Sequence, residues 1–151
     1  MGSKFSDVID MFCIKIQDYK LDNLYDKDKK LFKTFMEGLV IQAIPYFDTN
    51  LVDLSYEKDE VTDEYYFIKN LNDKEISILA MIMNYLWVER EINDLRAMSE
   101  KLSTRDFKIT NTPQIMKQKV EYANIIKEQY LYEIMQLEAK DINKLSYFGD
   151  V

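Results

Sequence analysis

This chain contains very few of the two residues that most often interrupt regular structure. Its 151 residues include 3 glycines and 2 prolines. β-Sandwiches, β-barrels and phosphate-cradling loops all use glycine and proline freely at their turns. Long helices with few breaks are the natural alternative, and a chain of this length suits one domain with its own core. We therefore expect a single all-α domain spanning residues 1–151.

The charge of the chain disfavours direct binding of nucleic acid. Its formal net charge is −7, so it repels phosphate backbones unless its cations cluster. The densest basic stretch is Lys27, Lys29 and Lys30, and Asp26 and Asp28 interrupt it. We therefore expect no direct binding of nucleic acid.

The cysteine content and the hydropathy pattern indicate the cellular compartment of the protein. Cys13 is the only cysteine, so an intrachain disulfide is excluded and a reducing compartment is the simpler interpretation. Cys13 lies on the apolar stripe of the first predicted helix, which predicts a core position. There is no signal-peptide pattern and no run of roughly 20 apolar residues, so we expect a soluble chain without membrane contact.

Apolar spacing predicts two helices in the first third of the chain. The first carries a stripe from Phe5 to Ile16, and the stretch from Asp18 to Tyr25 is predicted to be a connector. The second helix begins at Asp26 or Asp28, either of which can cap it. Pro45 lacks the amide hydrogen of a helical residue, so this helix should kink or end there.

The segment from residue 48 to 71 is the least helical part of the sequence. It is predicted to form a short loop or a small β-hairpin between helices two and three, because the β-prone residues Tyr65, Tyr66 and Phe67 end it. A loop of this length in a compact domain is usually functional, so we expect it to bear contacts. Its acidic residues are Asp53, Glu57, Asp59, Glu60, Asp63 and Glu64.

Two longer helices are predicted in the second half, which completes a fold like a four-helix bundle. Asn72 and Glu75 have the spacing of a capping box, and the third helix should run from there to about residue 102. Thr112 followed by Pro113 indicates the start of a fourth helix, which should reach about residue 145. Residues 146–151 are expected to be a C-terminal tail.

The sequence offers no catalytic site that we can identify. Histidine is absent, which excludes catalytic sites that pair a nucleophile with histidine and zinc sites that contain histidine. It also excludes the di-iron sites of helical bundles, which use a Glu-x-x-His motif. The acidic segment lacks the alternating Asp/Asn spacing and central glycine of an EF-hand, so a solvated loop is favoured over a cation site. We expect a protein that is not an enzyme, with no cofactor and no metal.

Aromatic residues are the unusual feature of the composition, at 13% of the chain. Tyrosine covers apolar surface while its hydroxyl stays hydrated, which suits protein interfaces. Tyr122, Tyr130 and Tyr132 on the fourth helix cannot all face one core, so they are candidate interface residues. The alternative is that two of them merely line the edge of the bundle.

A set of short motifs spread over most of the chain is shared with a known family. The motifs are Phe5, Val8-Ile9-Asp10, Asp18-Tyr19, Ala43-Ile44, Phe47, Asp53-Leu54-Ser55, Phe67, Leu71-Asn72-Asp73-Lys74-Glu75-Ile76, Ile78-Leu79-Ala80, Leu86-Trp87, Arg105-Asp106-Phe107, Tyr130 and Tyr132. In these residues the sequence resembles a family of small head–tail connector proteins (adaptor or neck proteins) from tailed bacteriophages of Gram-positive hosts. It departs from the family pattern after Trp87, where a proline-containing break is expected and Val88-Glu89-Arg90 looks helical instead.

The resemblance implies a structural virion subunit located in the neck between capsid and tail and assembled in the host cytoplasm. Copies of such a protein form a ring, typically of about twelve, in which each copy meets its neighbours through different surfaces. The ring lies beneath the portal protein and above a stopper or tail-completion protein, and it continues the DNA channel. By analogy with related adaptors, Tyr147 and Phe148 are candidate anchors on the portal.

Two other functions remain open at this point. One is a cytosolic helical protein-binding module, such as a regulator or chaperone, that holds a partner with its aromatic faces. The other is an enzyme that uses carboxylates and tyrosines alone, for which the sequence suggests no substrate.

Overall fold

The architecture is that of a computed structural model, which describes residues 2–16, 18–103 and 112–149, without the side chains of residues 101–103, 112 and 145–149. These residues are mostly helical, as the scarcity of glycine and proline predicts. Their elements follow in the order α1 (Phe5–Lys15), α2 (Tyr19–Lys27), α3 (Lys29–Ala43), a 3₁₀ turn (Ile44–Tyr46), β1 (Tyr56–Asp59), β2 (Glu64–Phe67), α4 (Asp73–Ser103) and α5 (Thr112–Gly149).

The strands β1 and β2 form a small antiparallel hairpin at the place where the sequence predicts one. Tyr56 pairs with Phe67 at its base, and Asp59 pairs with Glu64 next to the turn. The last residue of the turn, Asp63, has a φ of 56°, which lies in the left-handed region that Asp tolerates better than most residues.

The chain ahead of α1 extends this hairpin by a further extended segment. The Phe67 N–H donates to the Ser3 carbonyl at 2.8 Å, and the Gly2 N–H donates to the Phe67 carbonyl at 3.0 Å. A Cβ at residue 2 would stand too close to the carbonyl oxygens of Phe67 and Lys69, so this approach requires glycine. Phe5 then packs against the hairpin, with its ring centroid 4.8 Å from that of Phe67.

Helix α1 turns one apolar face inward and leaves its cysteine outside. Phe5, Val8 and Phe12 are buried, whereas Cys13 is exposed. The predicted core position of Cys13 was therefore wrong, because the face that α1 buries follows Phe5, Val8 and Phe12 and is too narrow to include residue 13.

Helix α2 occupies most of the stretch that the sequence predicted to be a connector, so that prediction was wrong. Asp18 explains the helix, because its Oδ1 accepts the Lys20 N–H at 2.8 Å and caps the first turn. The second oxygen of Asp18 accepts the indole N–H of Trp87 at 2.9 Å, and Leu21 is buried. The described residues thus contain five α-helices, one more than the predicted bundle.

The ends of α3 and the start of α4 follow the sequence signals. Asp28 caps α3 by accepting the Leu31 N–H at 3.0 Å, and the helix passes into the 3₁₀ turn that contains Pro45. At the start of α4, the Glu75 N–H donates to Asn72 Oδ1 at 2.9 Å while Glu75 accepts the Asn72 N–H at 3.1 Å. The capping box is therefore confirmed.

Helix α4 is the central element, since α1, α3 and α5 all pack against it. Residues 78–80, 82 and 83 are buried and together span more than half of the circumference of the helix, so it is covered on more than one side. Its buried stretch continues through Trp87 and Val88 to Ile92, and most of the residues from 93 to 100 are exposed. Val88-Glu89-Arg90 are helical, in agreement with the sequence pattern.

Helix α5 runs antiparallel to α4. Lys119 pairs with Glu91 near the start of α5, and Glu133 pairs with Lys74 nearer its end, so rising numbers on one helix meet falling numbers on the other. With 38 residues, α5 is about 57 Å long at ~1.5 Å per residue. Residues 146–149, predicted to belong to a tail, continue this helix, whereas residues 150 and 151 and the predicted loop around Asp106 lie outside the described residues.

No helix in the described ranges is both long enough and apolar enough to cross a membrane.

The two roles of Asp18 lead to a first prediction. Asp18→Ala removes a helix cap and the partner of a buried indole, which should lower the free energy of unfolding by about 2–3 kcal/mol. Urea unfolding followed by circular dichroism measures this loss, and fluorescence of Trp87, the single tryptophan, reports the indole environment. Asp18→Asn keeps one acceptor oxygen and should lose about half as much. Equal urea midpoints for Asp18→Ala and the unmodified chain would contradict this account.

Candidate functional site

The inner face of α5 forms the contact with α4 and includes one of the predicted interface tyrosines. Ala123, Ile126, Tyr130 and Ile134 are all buried on this face. Tyr130 is only 2% exposed, and its ring lies 5.7 Å from that of Tyr85 on α4. Its prediction as an interface residue is therefore corrected, because Tyr130 has the same helical spacing as the core residues around it.

Burial changes the acidity of this tyrosine cluster. Desolvation, followed by the negative charge of Glu89, raises the pKa of Tyr85 to about 12 from an ordinary value of 10.0. Burial also raises the pKa of Tyr130, with Tyr46 and Glu89 acting in the same direction. Both phenols therefore favour the neutral, protonated form in the folded protein.

The raised pKa of Tyr85 predicts a loss of stability in alkali. The phenol ionises near pH 10 in the unfolded chain and near pH 12 in the folded one, so the melting temperature should fall as the pH rises through this window. Tyr85→Phe removes this contribution and should flatten the decline. Thermal unfolding at pH values from 9 to about 12 measures it. Curves of identical slope for the variant and the parent chain would contradict it.

The outer face of α5 carries the other two predicted tyrosines in an exposed position. Tyr122 is 49% exposed, Tyr132 is 58% exposed, and Ile125 between them is 52% exposed. The Tyr122 hydroxyl accepts a hydrogen bond from the Asn84 side chain at 3.3 Å, which holds the edge of the Tyr122 ring against α4. Large apolar groups thus lie on the side of α5 that faces away from the core.

These residues belong to a longer stripe that contains no charged side chain. We call it the outer stripe, and its positions follow alternating steps of three and four residues. Charged residues make up 31% of the chain, so their absence from eight successive positions is a distinct feature of the surface. A repeat of 3.5 residues is the spacing with which one helix packs along another. The outer stripe consists of Ile115, Gln118, Tyr122, Ile125, Gln129, Tyr132, Gln136 and Ala139.

A second exposed apolar group lies on another side of the same helix. Leu131 is 42% exposed, Met135 is 63% exposed and Ile142 is 65% exposed. Their spacing places them about 100° round the helix from the outer stripe. We call this group the side patch. Helix α5 therefore presents two separate apolar surfaces in addition to the face that it buries against α4.

Two ion pairs to α4 add to the contacts that orient α5. Lys119 contacts Glu91, and both side chains are mostly shielded from solvent. Lys74 contacts Glu133 with an Nζ–Oε2 distance of 3.0 Å. Partly buried pairs at two levels, together with the inner face, hold the outer stripe away from the domain. The stripe is thus a fixed surface and not a face that the domain can turn inward.

The carboxylates of the predicted acidic loop are mostly used within the hairpin. Asp59 accepts the Val61 N–H at 2.8 Å inside the turn, and this hydrogen bond lowers the pKa of Asp59. Lys58 pairs with Asp63 at 2.5 Å, which lowers the pKa of the Asp63 carboxyl. These two carboxylates stabilise the turn, which explains part of the acidic composition of the segment.

The remaining acidic residues also make contacts in the same region. Asp53 accepts hydrogen bonds from the Ser55 hydroxyl at 2.5 Å and from the Ser55 N–H at 3.0 Å, and these lower the pKa of Asp53. Glu57 accepts the Tyr66 hydroxyl at 3.0 Å, and Glu64 pairs with Lys4 at 3.2 Å. Glu60 is exposed in the turn. Across the described part of the chain, these carboxylates form no cluster placed to hold a metal ion.

The backbone of Tyr147 and Phe148 lies in the last turns of α5, and their side chains are outside the described residues. Just before them, α5 borders an open cleft of about 600 Å³ beside the start of α4. Leu51, Val52 and Leu137 line the apolar part of this cleft, and Lys140 and Lys144 line its polar part.

No protein-family description matches the chain, and no solved structure matches it. Among curated proteins, the chain is similar to the CRISPR-associated endoribonuclease Cas13a of Leptotrichia wadei (strain F0279), with 26% identity over 110 residues. The match covers 72% of this chain and 9% of Cas13a. A likeness of this extent does not assign the chain to a family.

The two faces of α5 predict opposite results for two tyrosines. Tyr130→Ala should lower the free energy of unfolding by about 3–5 kcal/mol, because it leaves a cavity between α4 and α5. Tyr132→Ala removes an exposed ring and should change it by no more than about 0.5 kcal/mol in dilute solution. Urea unfolding of both variants, two residues apart on one helix, measures the difference. A large loss for Tyr132→Ala would show that its ring is held within the monomer.

Proposed function

We propose that this protein is a structural subunit of a phage head–tail connector, which forms a ring between the portal and the tail. The observation that carries the proposal is the exposed, uncharged outer stripe of α5. The opposite face of α5 is buried against α4 through Ile126, Tyr130 and Ile134, so the domain does not cover this stripe itself. We therefore expect another polypeptide to cover the stripe. The sequence resemblance to connector proteins favours a connector ring as the assembly in which this happens.

The arrangement of α5 suits a subunit with neighbours on two sides. In a ring, each copy presents two different surfaces, one to the copy before it and one to the copy after it. The outer stripe and the side patch are two such surfaces on one long helix. Apolar and aromatic contacts of this kind favour lasting association over brief encounters.

The charge of the subunit suits a DNA channel. A net charge of −7 repels phosphate groups, so DNA can move past the protein without being held. The hairpin contributes acidic residues at an exposed turn, with Val61 at its tip 94% exposed. In the proposed ring, DNA passes through without specific contacts, the portal lies on one side, and a stopper or tail-completion protein lies on the other. The last turns of α5, with Tyr147 and Phe148, are the proposed portal anchor.

The likeness to Cas13a raises one alternative, a chain that takes part in RNA cleavage. The sequence contains no histidine to act as general acid or base, and its net charge is unfavourable for holding RNA. The connector is therefore proposed as a protein without catalytic activity. Incubation of the purified chain with labelled single-stranded and structured RNA tests this point, and no cleavage above a protein-free control is expected. Cleavage that co-purifies with the folded chain would replace the connector proposal.

The direct test is assembly on a portal ring. The purified chain, mixed with the portal protein of the phage that carries its gene, should add a further layer to portal rings in electron micrographs. The double variant Ile125→Lys with Tyr132→Lys places two charges in the outer stripe and should weaken this binding at least about tenfold. The matched control Glu138→Lys lies elsewhere on α5 and should bind normally. Portal rings that never gain the layer would refute the proposal.

A further inference from the structure

The outer stripe has a mirrored order of residues about its midpoint. Two of the four pairs of positions equally far from Lys127 hold identical side chains: Gln118 matches Gln136, and Tyr122 matches Tyr132. At the two ends of the stripe, Ile115 corresponds to Ala139. Nearer the midpoint, Ile125 corresponds to Gln129, both of which are exposed. Binding of an unrelated helix would not favour a similar order of residue types in both directions along the stripe.

We propose that a second copy of this chain covers the outer stripe, with the two α5 helices antiparallel and related by a twofold axis near Lys127. This pairing sets Tyr122 of one copy opposite Tyr132 of the other, twice by symmetry. It likewise sets Gln118 opposite Gln136. Tyrosine rings of the two copies therefore contact each other, and so do their glutamine amides. The matched segment from residue 115 to 139 gives a contact about 36 Å long at ~1.5 Å per residue.

The charged residues beside the stripe favour the antiparallel direction. In this direction, Lys119 of one copy comes next to Glu133 of the other twice, on the flank nearest α4, where each also pairs with a residue of α4. Glu128 of each copy meets Glu128 of the other once, near the axis. A parallel pairing would instead bring Glu128 of each copy beside Glu133 of the other, which repels twice. Antiparallel pairing also sets the helix dipoles in opposition, which is favourable. The flanking charges therefore favour the antiparallel direction over the parallel one.

The composition of the stripe indicates a reversible pair. Glutamine at positions that face a partner helix lowers the stability of a coiled coil while it fixes the register. An isologous pair closes on itself and cannot extend into a ring. If the proposed connector function holds, on which this part of the inference rests, the pair is the form of the free subunit. The outer stripe is then shielded until a ring neighbour or the portal takes the place of the second copy.

The test measures association of the full chain alone, without a portal. Sedimentation equilibrium should show a monomer–dimer equilibrium with a dissociation constant on the order of micromolar. Tyr132→Lys sets a charge against Tyr122 of the other copy at two places, and should raise the constant about a hundredfold. Glu138→Lys changes an exposed residue outside both the stripe and the side patch and should leave the constant unchanged. A chain that stays monomeric at concentrations on the order of 100 µM would overturn the proposal.

A charge-swap variant tests the orientation separately. With Gln118→Glu and Gln136→Lys together, an antiparallel pair gains two opposite-charge contacts and should bind at least as tightly as the parent chain. In a parallel pair, the same changes set like charges against each other, and binding should weaken at least about tenfold. Weakening of this double variant, with circular dichroism unchanged, would overturn the antiparallel arrangement. Pairing without portal binding would count against the connector only, and portal binding by a strict monomer would count against the pair only.

Discussion

The burial of α4 on several sides is the constraint on which the rest of the structure depends. Residues 78–83 of this helix have almost no side free for solvent, so α1, α3 and α5 must all find places round it. Helix α5 takes the remaining place with one face, the face that carries Tyr130. Because none of the described residues forms a further layer beyond α5, the outer stripe and the side patch lie at the surface.

Strong local sequence signals predicted several helix ends correctly. The failure to predict α2 has a physical cause. The capping box at Asn72, the cap at Asp28 and the break at Pro45 act within a few residues of themselves, so they can be read from the sequence. Helix α2 depends on Asp18 and its hydrogen bond to Trp87, which lies far along the chain. Its 9 residues are too few for apolar periodicity alone to reveal the helix.

The sequence predicted an exposed aromatic surface on the last helix, but not which tyrosines belong to it. Aromatic excess on the last helix indicates surface beyond one core, and Tyr122 and Tyr132 are exposed. Tyr130 was assigned to the same group, although its spacing from Ile126 and Ile134 places it on the inner face. The choice between the two faces depends on how α5 turns against α4. That rotation is set by the packing of the buried face of α5 against α4, a contact between distant parts of the chain that no local pattern encodes.

The extended segment at residues 2–4 has a consequence for how the chain can be handled. Gly2 and Ser3 occupy one edge of β2 through backbone hydrogen bonds, so they hide groups that would otherwise be open to pairing. Trimming by an aminopeptidase past these residues, or a bulky affinity tag joined at residue 2, would uncover that edge. An uncovered strand edge is a template for pairing between molecules. Preparations that lose the segment should therefore be prone to aggregate through the hairpin, far from α5.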